Sequence, residues 1–213
     1  MKVAVIAGAT GLIGKQLLQL LLDDPEYHSV ISVVRSPADI SHPKLKQIVV
    51  DFDQLEEYSD QLKGDVVFCC LGTTMKKAKS KEAFRKVDFH YPVELAKVTR
   101  AQGAQQFLIV SALGADKNSS IFYNKVKGET EEAVGGVGFQ SYHIFRPSLL
   151  LGPRSEQRAG EDAAKAFYKF FAFLIPAKYK AIESIKVAKA MQFYARSEDE
   201  GRNIHESKSM QRF

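Results

Sequence analysis

The chain has 213 residues, of which 45% are hydrophobic and 26% are charged. These values are typical of a globular protein and exclude a disordered chain, a collagen and a disulfide-rich scaffold. A chain of this length buries roughly 70% of its unfolded surface, so its core needs no metal or disulfide to form. The net charge of +5 suits an anionic ligand, but it is too diffuse to indicate a nucleic-acid partner.

The cysteines and the apolar runs indicate the cellular compartment in which the protein functions. Cys69 and Cys70 are adjacent, so they cannot form an ordinary disulfide, and two ligands at one place do not make a zinc site. A reducing compartment fits them best. The apolar run that opens the chain ends at Gly8, and no run approaches the roughly 20 apolar residues of a membrane span. We therefore expect a cytoplasmic protein with no membrane partner and no metal.

In chain order, short apolar runs alternate with longer helical patterns. Six runs predict strands, at Val3–Ala7, Val30–Val34, Ile48–Val50, Val66–Leu71, Phe107–Val110 and Tyr142–Phe145. They are almost continuously apolar, which is the pattern of strands buried on both faces. Helical patterns lie between them, at Leu12–Leu22, at 81–102 with a bend near Pro92, and at 119–134. This alternation predicts an α/β fold built on a doubly wound, Rossmann-like parallel sheet.

The last third of the chain has a different rhythm. Beyond Pro147 the sequence becomes helical and rich in aromatic residues, most densely at Phe167–Phe173. We expect one domain over residues 1–213, in which residues of about 147–200 form a small C-terminal helical lobe that serves the substrate. The aromatic stripe is more typical of a core or a dimer face than of a cofactor site.

A glycine triplet follows the first predicted strand and opens the first predicted helix. Glycines at these positions permit a tight turn, close approach of the backbone to a pyrophosphate, and close packing of the helix on the strand. The helix N-terminus then faces the negative charge. The alternative is a glycine turn that binds nothing, but the position between a strand and an amphipathic helix favours a dinucleotide loop. Its residues are Gly8, Ala9, Thr10, Gly11, Leu12, Ile13 and Gly14.

The end of the second predicted strand bears on the choice of cofactor. Dinucleotide sites that prefer NAD place an acidic residue there, which binds the ribose 2′-hydroxyl. This chain has Arg35-Ser36 instead. A guanidinium can clamp the 2′-phosphate of NADP, whereas a carboxylate would repel it. A solvated loop arginine is the alternative, and we predict NADP as the cofactor.

Several motifs together resemble the extended and atypical short-chain dehydrogenases. The loop Gly8–Gly14 is similar to the cofactor loop of that family, Tyr123-Asn124-Lys125-Val126-Lys127 matches its Tyr-x-x-x-Lys pattern, and Ser111 at the end of a strand matches its serine. Four further stretches are similar to the TIP30-like group of the family, namely residues 69–74, 114–117, 126–129 and 145–147.

The resemblance implies a catalytic set of Ser111, Tyr123 and Lys127, in which tyrosine exchanges a proton with the substrate, lysine also holds the cofactor ribose, and serine orients the carbonyl. The spacing agrees, because residues four apart share one face of a helix. A free tyrosine has a pKa of about 10, and a neighbouring ammonium favours its phenolate. One departure is Asp88, where many members of the family have asparagine; it could alter a proton relay or pair with a lysine.

The resemblance also implies further contacts with the cofactor. Asp51 and Phe52 match the adenine-contacting segment, the end of the fourth strand should pass the riboses and phosphates, and the segment after the sixth strand should pass the carboxamide. A loop arginine completes the set. These remaining positions are Leu71, Gly72, Thr73, Thr74, Pro147, Leu150 and Arg158.

Three functions stay open at this point. The leading hypothesis is an NADP-dependent oxidoreductase acting on a small carbonyl or alcohol. The second is an NADP(H)-binding regulator that binds a protein partner, as TIP30-like proteins are thought to do. The third is an epimerase or dehydratase of sugar nucleotides, which the small C-terminal lobe makes less favourable. A homodimer that pairs through the helix at 81–102 is an additional expectation, and the substrate is unknown.

Overall fold

A single parallel sheet organises the protein. The computed structural model describes residues 1–152, 180–197 and 199–213. Seven strands lie in the order β3-β2-β1-β4-β5-β6-β9, every neighbouring pair is parallel, and β7 and β8 form a separate two-stranded pair. The strands are β1 Lys2–Ala7, β2 Tyr27–Val34, β3 Leu45–Val49, β4 Val66–Cys69, β5 Gln106–Val110, β6 Ser141–Arg146, β7 Leu150–Leu151, β8 Ile182–Glu183 and β9 Gly201–Glu206. The predicted α/β fold is confirmed.

Helices connect these strands across both faces of the sheet. In the described residues they are α1 Leu12–Asp23, α2 Met75–Ala78, α3 Lys81–Arg85, α4 Tyr91–Ala101, α5 Phe122–Gly135, α6 Ser184–Tyr194 and α7 Ser207–Met210. A 3-10 helical stretch spans Phe52–Gln61, and a π-helical turn spans Lys86–His90. The order of strands reverses between β1 and β4. In open α/β sheets the carboxyl ends of the strands at such a reversal form the ligand crevice.

The core has two parts, one on each face of the sheet. On one face Leu17 of α1 and Met191 of α6 pack with Phe68 of β4. On the other face Leu95 of α4 packs with Phe107 of β5. Because helices cover both faces, the central strands carry apolar residues at nearly every position. The continuous apolar runs in the sequence therefore follow from the layered architecture.

The helix predicted at 81–102 is interrupted upstream of the expected bend. The irregular part is the π-helical turn Lys86–His90, which ends two residues before Pro92, the position near which the sequence predicts a bend. Pro92 has no N–H to donate back into this turn, and α4 follows the turn without a break in the helical backbone. Within this turn the side chain of Asp88 is buried, and Asp88 contacts the loop after β4 and helix α5. Short π-helical segments of this kind occur frequently at functional sites.

The C-terminal part of the described chain completes the sheet. Strand β9 pairs with β6, and the buried face of α6, Ser184–Tyr194, joins the core beside α1. Residues 153–179, which include Arg158 and the aromatic stripe Phe167–Phe173, lie outside the described residues, and the predicted lobe stays a prediction there. In the part of the chain that is described, no helix combines the length and the apolar character needed to span a membrane.

Candidate cofactor and proton-transfer site

The glycine loop is packed so closely that two of its positions admit only glycine. Gly8 has a φ of +83°, and a Cβ there would lie 2.5 Å from the carbonyl carbon of Cys70, the residue after β4. A Cβ on Gly14 would lie 2.1 Å from the carbonyl oxygen of Gly8. Neither side chain could be accommodated without moving backbone. The loop therefore lies against the carboxyl ends of β1 and β4, at the reversal of the sheet.

The N-terminus of α1 offers a site for an anion. Gly11 caps the helix without any side-chain hydrogen bond, and the first turn carries no acidic residue. The first N–H groups of a helix have no partner within it, and the helix dipole adds a partial positive charge there. Thr10 and Gly11, which directly precede the helix, are exposed, so a ligand can approach this end of α1 from solvent. The donors fit the pyrophosphate of a dinucleotide, which is the group that this arrangement commonly binds.

The residues predicted to contact the adenosine end lie near the ends of β2 and β3. Arg35 and Ser36 are exposed after β2, and Arg35 makes no hydrogen bond or ion pair with the described residues. Asp51 is exposed and accepts a hydrogen bond of 2.9 Å from the N–H of Asp53. The ring of Phe52 is buried against Tyr91, with centroids 5.2 Å apart. Arg35 is thus free to bind a phosphate, whereas Phe52 can offer a ligand only its backbone.

Tyr123 and Lys127 lie one turn apart on α5 and differ in environment. Tyr123 is 36% exposed, its ring packs on the buried Phe84 at 5.6 Å between centroids, and its hydroxyl has no hydrogen-bond partner among the described residues. Lys127 is only 6% exposed, and its Nζ lies 2.8 Å from Oδ1 of the buried Asp88. The hydroxyl of Tyr123 can therefore contact a ligand that enters from solvent, while the buried ammonium of Lys127 provides a positive charge one helical turn away.

Asp88 is held from several elements. Its Oδ2 accepts a hydrogen bond of 2.8 Å from the N–H of Thr73, and its carbonyl accepts one of 2.8 Å from the hydroxyl of Thr130 on α5. Burial by itself would lower the pKa of Lys127, but the neighbouring carboxylate of Asp88 outweighs burial and raises the pKa above its ordinary value. A Cβ on Gly72 would lie 3.4 Å from Asp88 Oδ1. The ion pair thus lies directly beneath the loop that follows β4.

The hydroxyl of Ser111 is bonded to a buried carboxylate. Its hydroxyl donates a hydrogen bond of 2.5 Å to the carboxylate of Glu131, which is 1% exposed. The same carboxylate accepts a hydrogen bond of 2.9 Å from Nε of Arg146 at the end of β6. No hydrogen bond joins Ser111 to Tyr123 in the described parts of the chain. Glu131 was missed by sequence reasoning, although it stands four residues after Lys127 and so shares its helix face.

The remaining predicted cofactor residues are distributed around the carboxyl edge of the sheet. Leu71 packs against the core, and the hydroxyl of Thr74 caps α2 by accepting from the N–H of Lys77 at 3.2 Å. The carbonyl of Pro147 accepts a hydrogen bond of 2.9 Å from the N–H of Leu113, and Leu150 lies in β7. The structure gathers the glycine loop, the 71–74 loop and α5 near one edge, and Arg158 falls outside the described residues.

The fold and this site define a dinucleotide-binding protein of the Rossmann type. The evidence is the reversal of strand order, the glycine loop that opens α1 at that point, and the buried lysine beside an exposed tyrosine. Residues 8–164 match the family described as NAD(P)H-binding, and the chain belongs to that family.

Comparisons with known proteins agree with this assignment. The chain is 39% identical to rat HTATIP2 (TIP30) over 171 residues, which are 78% of this chain and 70% of that protein. It is 33% identical to "Protein FMP52, mitochondrial" of Debaryomyces hansenii over 198 residues, which are 87% of each chain. The solved structure of MoeE5 in complex with UDP-glucose and NAD has a TM-score of 0.72 at 17% identity, covering 94% of this chain and 74% of that one. At that identity the likeness shows the fold alone, whereas the HTATIP2 match confirms the resemblance to the TIP30-like group.

Proposed function

We propose that the protein is an NADP-dependent oxidoreductase of the short-chain dehydrogenase type that acts on a small carbonyl or alcohol. The observation that carries this proposal is the pair on α5, in which the exposed Tyr123 stands one turn from the buried and charged Lys127. A tyrosine needs a neighbouring cation to exchange protons near neutral pH. When bound, the nicotinamide cofactor would supply or accept the hydride.

The binding part of the proposal rests on three groups of residues. The uncapped N-terminus of α1 would hold the pyrophosphate. Arg35, which is exposed and has no partner among the described residues, would bind the 2′-phosphate of NADP. The loop at Leu71–Thr74 and the segment from Pro147 to Leu150 would border the riboses and the nicotinamide. No carboxylate stands at the end of β2 to repel the extra phosphate.

The proton would move through Tyr123. In reduction its hydroxyl donates the proton to the substrate oxygen, and in oxidation its phenolate accepts that proton. Lys127 would stabilise the phenolate because its ammonium lies on the same helix face. Positioned acid–base catalysis of this kind accelerates a reaction by about 10²–10⁴-fold.

The variant Tyr123→Phe tests the proposal, because it keeps the ring on Phe84 and removes the hydroxyl alone. NADPH affinity, measured by fluorescence titration, should stay within about two-fold since the loop and Arg35 supply most of the binding. NADPH oxidation with a panel of small carbonyls should fall by about 10²–10⁴-fold. Tyr58→Phe makes the same change in the 3-10 helical stretch and should leave turnover intact. Lys127→Ala should weaken both binding and turnover. Undiminished turnover in Tyr123→Phe would show that the motif match is accidental.

A specific observation favours a second candidate, an NADP(H)-binding regulator. Two of the three residues of the predicted catalytic set are already engaged by protein carboxylates, Lys127 by Asp88 and Ser111 by Glu131. The orienting role expected of Ser111 therefore competes with its bond to Glu131. A wild-type protein that binds NADPH tightly but oxidises it with none of the carbonyls would favour the regulator.

We also propose a cytoplasmic location, in keeping with the unpaired Cys69 and Cys70. The fungal relatives are named as mitochondrial, so the proposal is open to a direct test. Fractionation of cells that express the tagged full-length chain should recover it in the cytosolic fraction. Recovery with mitochondria would contradict the proposal.

A further inference from the structure

The ion pair between Asp88 and Lys127 is more than a structural contact, because of where it lies. Both side chains are buried, their charged atoms are 2.8 Å apart, and the pair lies beneath Gly72 in the loop expected to border the cofactor. Thr73 and Thr130 hold Asp88 through its second carboxylate oxygen and its carbonyl. The Asp88 carboxylate therefore cannot rotate away from the lysine without breaking its hydrogen bond from Thr73, while the bond from Thr130 fixes the backbone at this position.

This fixed charge opposes the effect of Lys127 on Tyr123. A lone ammonium favours the phenolate, but the field of an ammonium paired with a carboxylate at contact distance falls off much faster than that of a single charge. Among the described residues, Asp88 from the π-helical turn, Tyr123 from α5 and Cys69 from β4 act on the charge of Lys127. Burial raises the pKa of Cys69 to about 12, so its thiol is neutral. Asp88 is the carboxylate that decides how much of the positive charge reaches the tyrosine.

We propose that Asp88 opposes the ammonium of Lys127 and thereby favours the protonated, proton-donating form of Tyr123, which biases the site toward reduction of a carbonyl. This inference rests on the proposed function. In that direction the O–H bond of Tyr123 breaks and its proton passes to the substrate oxygen, while the carbonyl carbon accepts the hydride supplied by the reduced cofactor. The carbonyl becomes an alcohol, the cofactor is oxidised, and the phenolate regains its proton from solvent.

An asparagine at position 88 would act differently with nearly the same shape. Its side-chain oxygen could still accept the hydrogen bond from Thr73, and wherever Lys127 stays protonated its charge would be unopposed. Asp88 also holds up the pKa of Lys127 against burial, so the comparison of Lys127→Met with the double variant isolates the effect of the carboxylate. The phenolate of Tyr123 would then form at lower pH, which favours oxidation of an alcohol. Asp88 is thus a positioning residue that acts on Tyr123 through the charge of Lys127, without contact with the substrate.

The test is a near-ultraviolet titration of the protein without cofactor or substrate. Phenolate absorbance is measured against pH for each protein and for its Tyr123→Phe counterpart, and the difference isolates one of the eight tyrosines in a chain that has no tryptophan. The midpoint in Asp88→Asn should lie about one pH unit below that of the wild type. Lys127→Met should move the midpoint upward, and Asp88→Asn/Lys127→Met should return it close to the wild-type position.

The double variant also covers the case in which Asp88→Asn alone does not fold. Comparison of Lys127→Met with Asp88→Asn/Lys127→Met removes the same carboxylate without leaving an unpaired ammonium, and the midpoint should again fall by about one unit. Equal midpoints in either comparison overturn the inference. The titration needs no turnover, so a protein with the expected midpoints that reduces no carbonyl would instead contradict the proposed function.

Discussion

Glu131→Gln is expected to lower the stability of the protein more than any exposed charge substitution on α5. The Glu131 carboxylate is 1% exposed and accepts hydrogen bonds from Ser111 and from both Arg146 nitrogens that face it. Arg202 of β9 approaches the same carboxylate at 3.4 Å. One carboxylate therefore joins α5 to the ends of β5 and β6 and to the edge strand.

The magnitude follows from what the substitution leaves behind. Removing one partner of a fully buried ion pair costs about 3–5 kcal/mol, because the other charge is left uncompensated. Here Arg146 and Arg202 keep 20% and 41% of their side chains exposed, so water can solvate part of their charge. Glutamine also keeps an oxygen that can accept from Ser111. We therefore expect a loss of about 2–3 kcal/mol, which corresponds to a fall in Tm of about 5–10 °C for a chain of this size.

The neighbouring Glu132 provides a matched control. Its side chain is 53% exposed and pairs with Lys117 and Arg202 at 3.3 Å, so Glu132→Gln should cost at most about 1 kcal/mol. Both variants differ from the wild type by one charge on the same helix. Calorimetry or urea unfolding measures the loss of stability in each. Equal losses for the two variants would refute the reasoning, because burial would then make no difference to the value of the carboxylate.

Three further predictions concern the cofactor, pH and assembly. Wild-type protein should bind NADPH at least ten-fold more tightly than NADH, about 1.4 kcal/mol, and Arg35→Asp should narrow or reverse this preference; equal wild-type affinities in a fluorescence titration would contradict it. Burial, and then the neighbouring His143, lower the pKa of His205 to about 4, below the value of about 6.5 of an unfolded histidine. Between these two pH values the unfolded state therefore binds more protons than the folded state, so the free energy of unfolding should fall as the pH drops from about 6.5 to 4. Over that pH range, urea unfolding should show that His205→Gln loses up to about 3 kcal/mol less free energy of unfolding than the wild type loses. An unchanged pH dependence in the variant would be the contrary result. We also expect a homodimer that pairs through residues 81–102, and light scattering that gives a monomer at micromolar concentration would exclude it.

The parts of the protein that local sequence determined are those set by short-range geometry. The glycine loop could be predicted because Gly8 and Gly14 occupy positions where any side chain would collide with backbone. The strands that helices cover on both faces could be predicted because burial leaves a continuous apolar run. The alignment of Tyr123 with Lys127 required only the repeat of a helix.

Tertiary structure alone decided which partners the site residues have. Asp88 is separated from Lys127 by 39 positions, and only the π-helical turn together with the packing of α5 brings their charges to 2.8 Å. The sequence around Asp88 is compatible with a role in a proton relay or with pairing to a lysine, and in the folded chain it pairs with Lys127. Ser111 was matched to a catalytic serine by its position after a strand, but that position does not reveal that Glu131 lies within reach of its hydroxyl.

The edge of the sheet shows the same division. Strand β9 has one buried residue in six, His205, so it produces no apolar run and was not predicted. It forms because β6 presents an unpaired row of backbone N–H and C=O groups that a neighbouring strand can satisfy. Local sequence determined the helices and strands whose buried face is marked by a regular pattern of apolar residues. Contacts between distant segments depend on backbone pairing and on the placement of buried charges, and these arise only when the whole chain has folded.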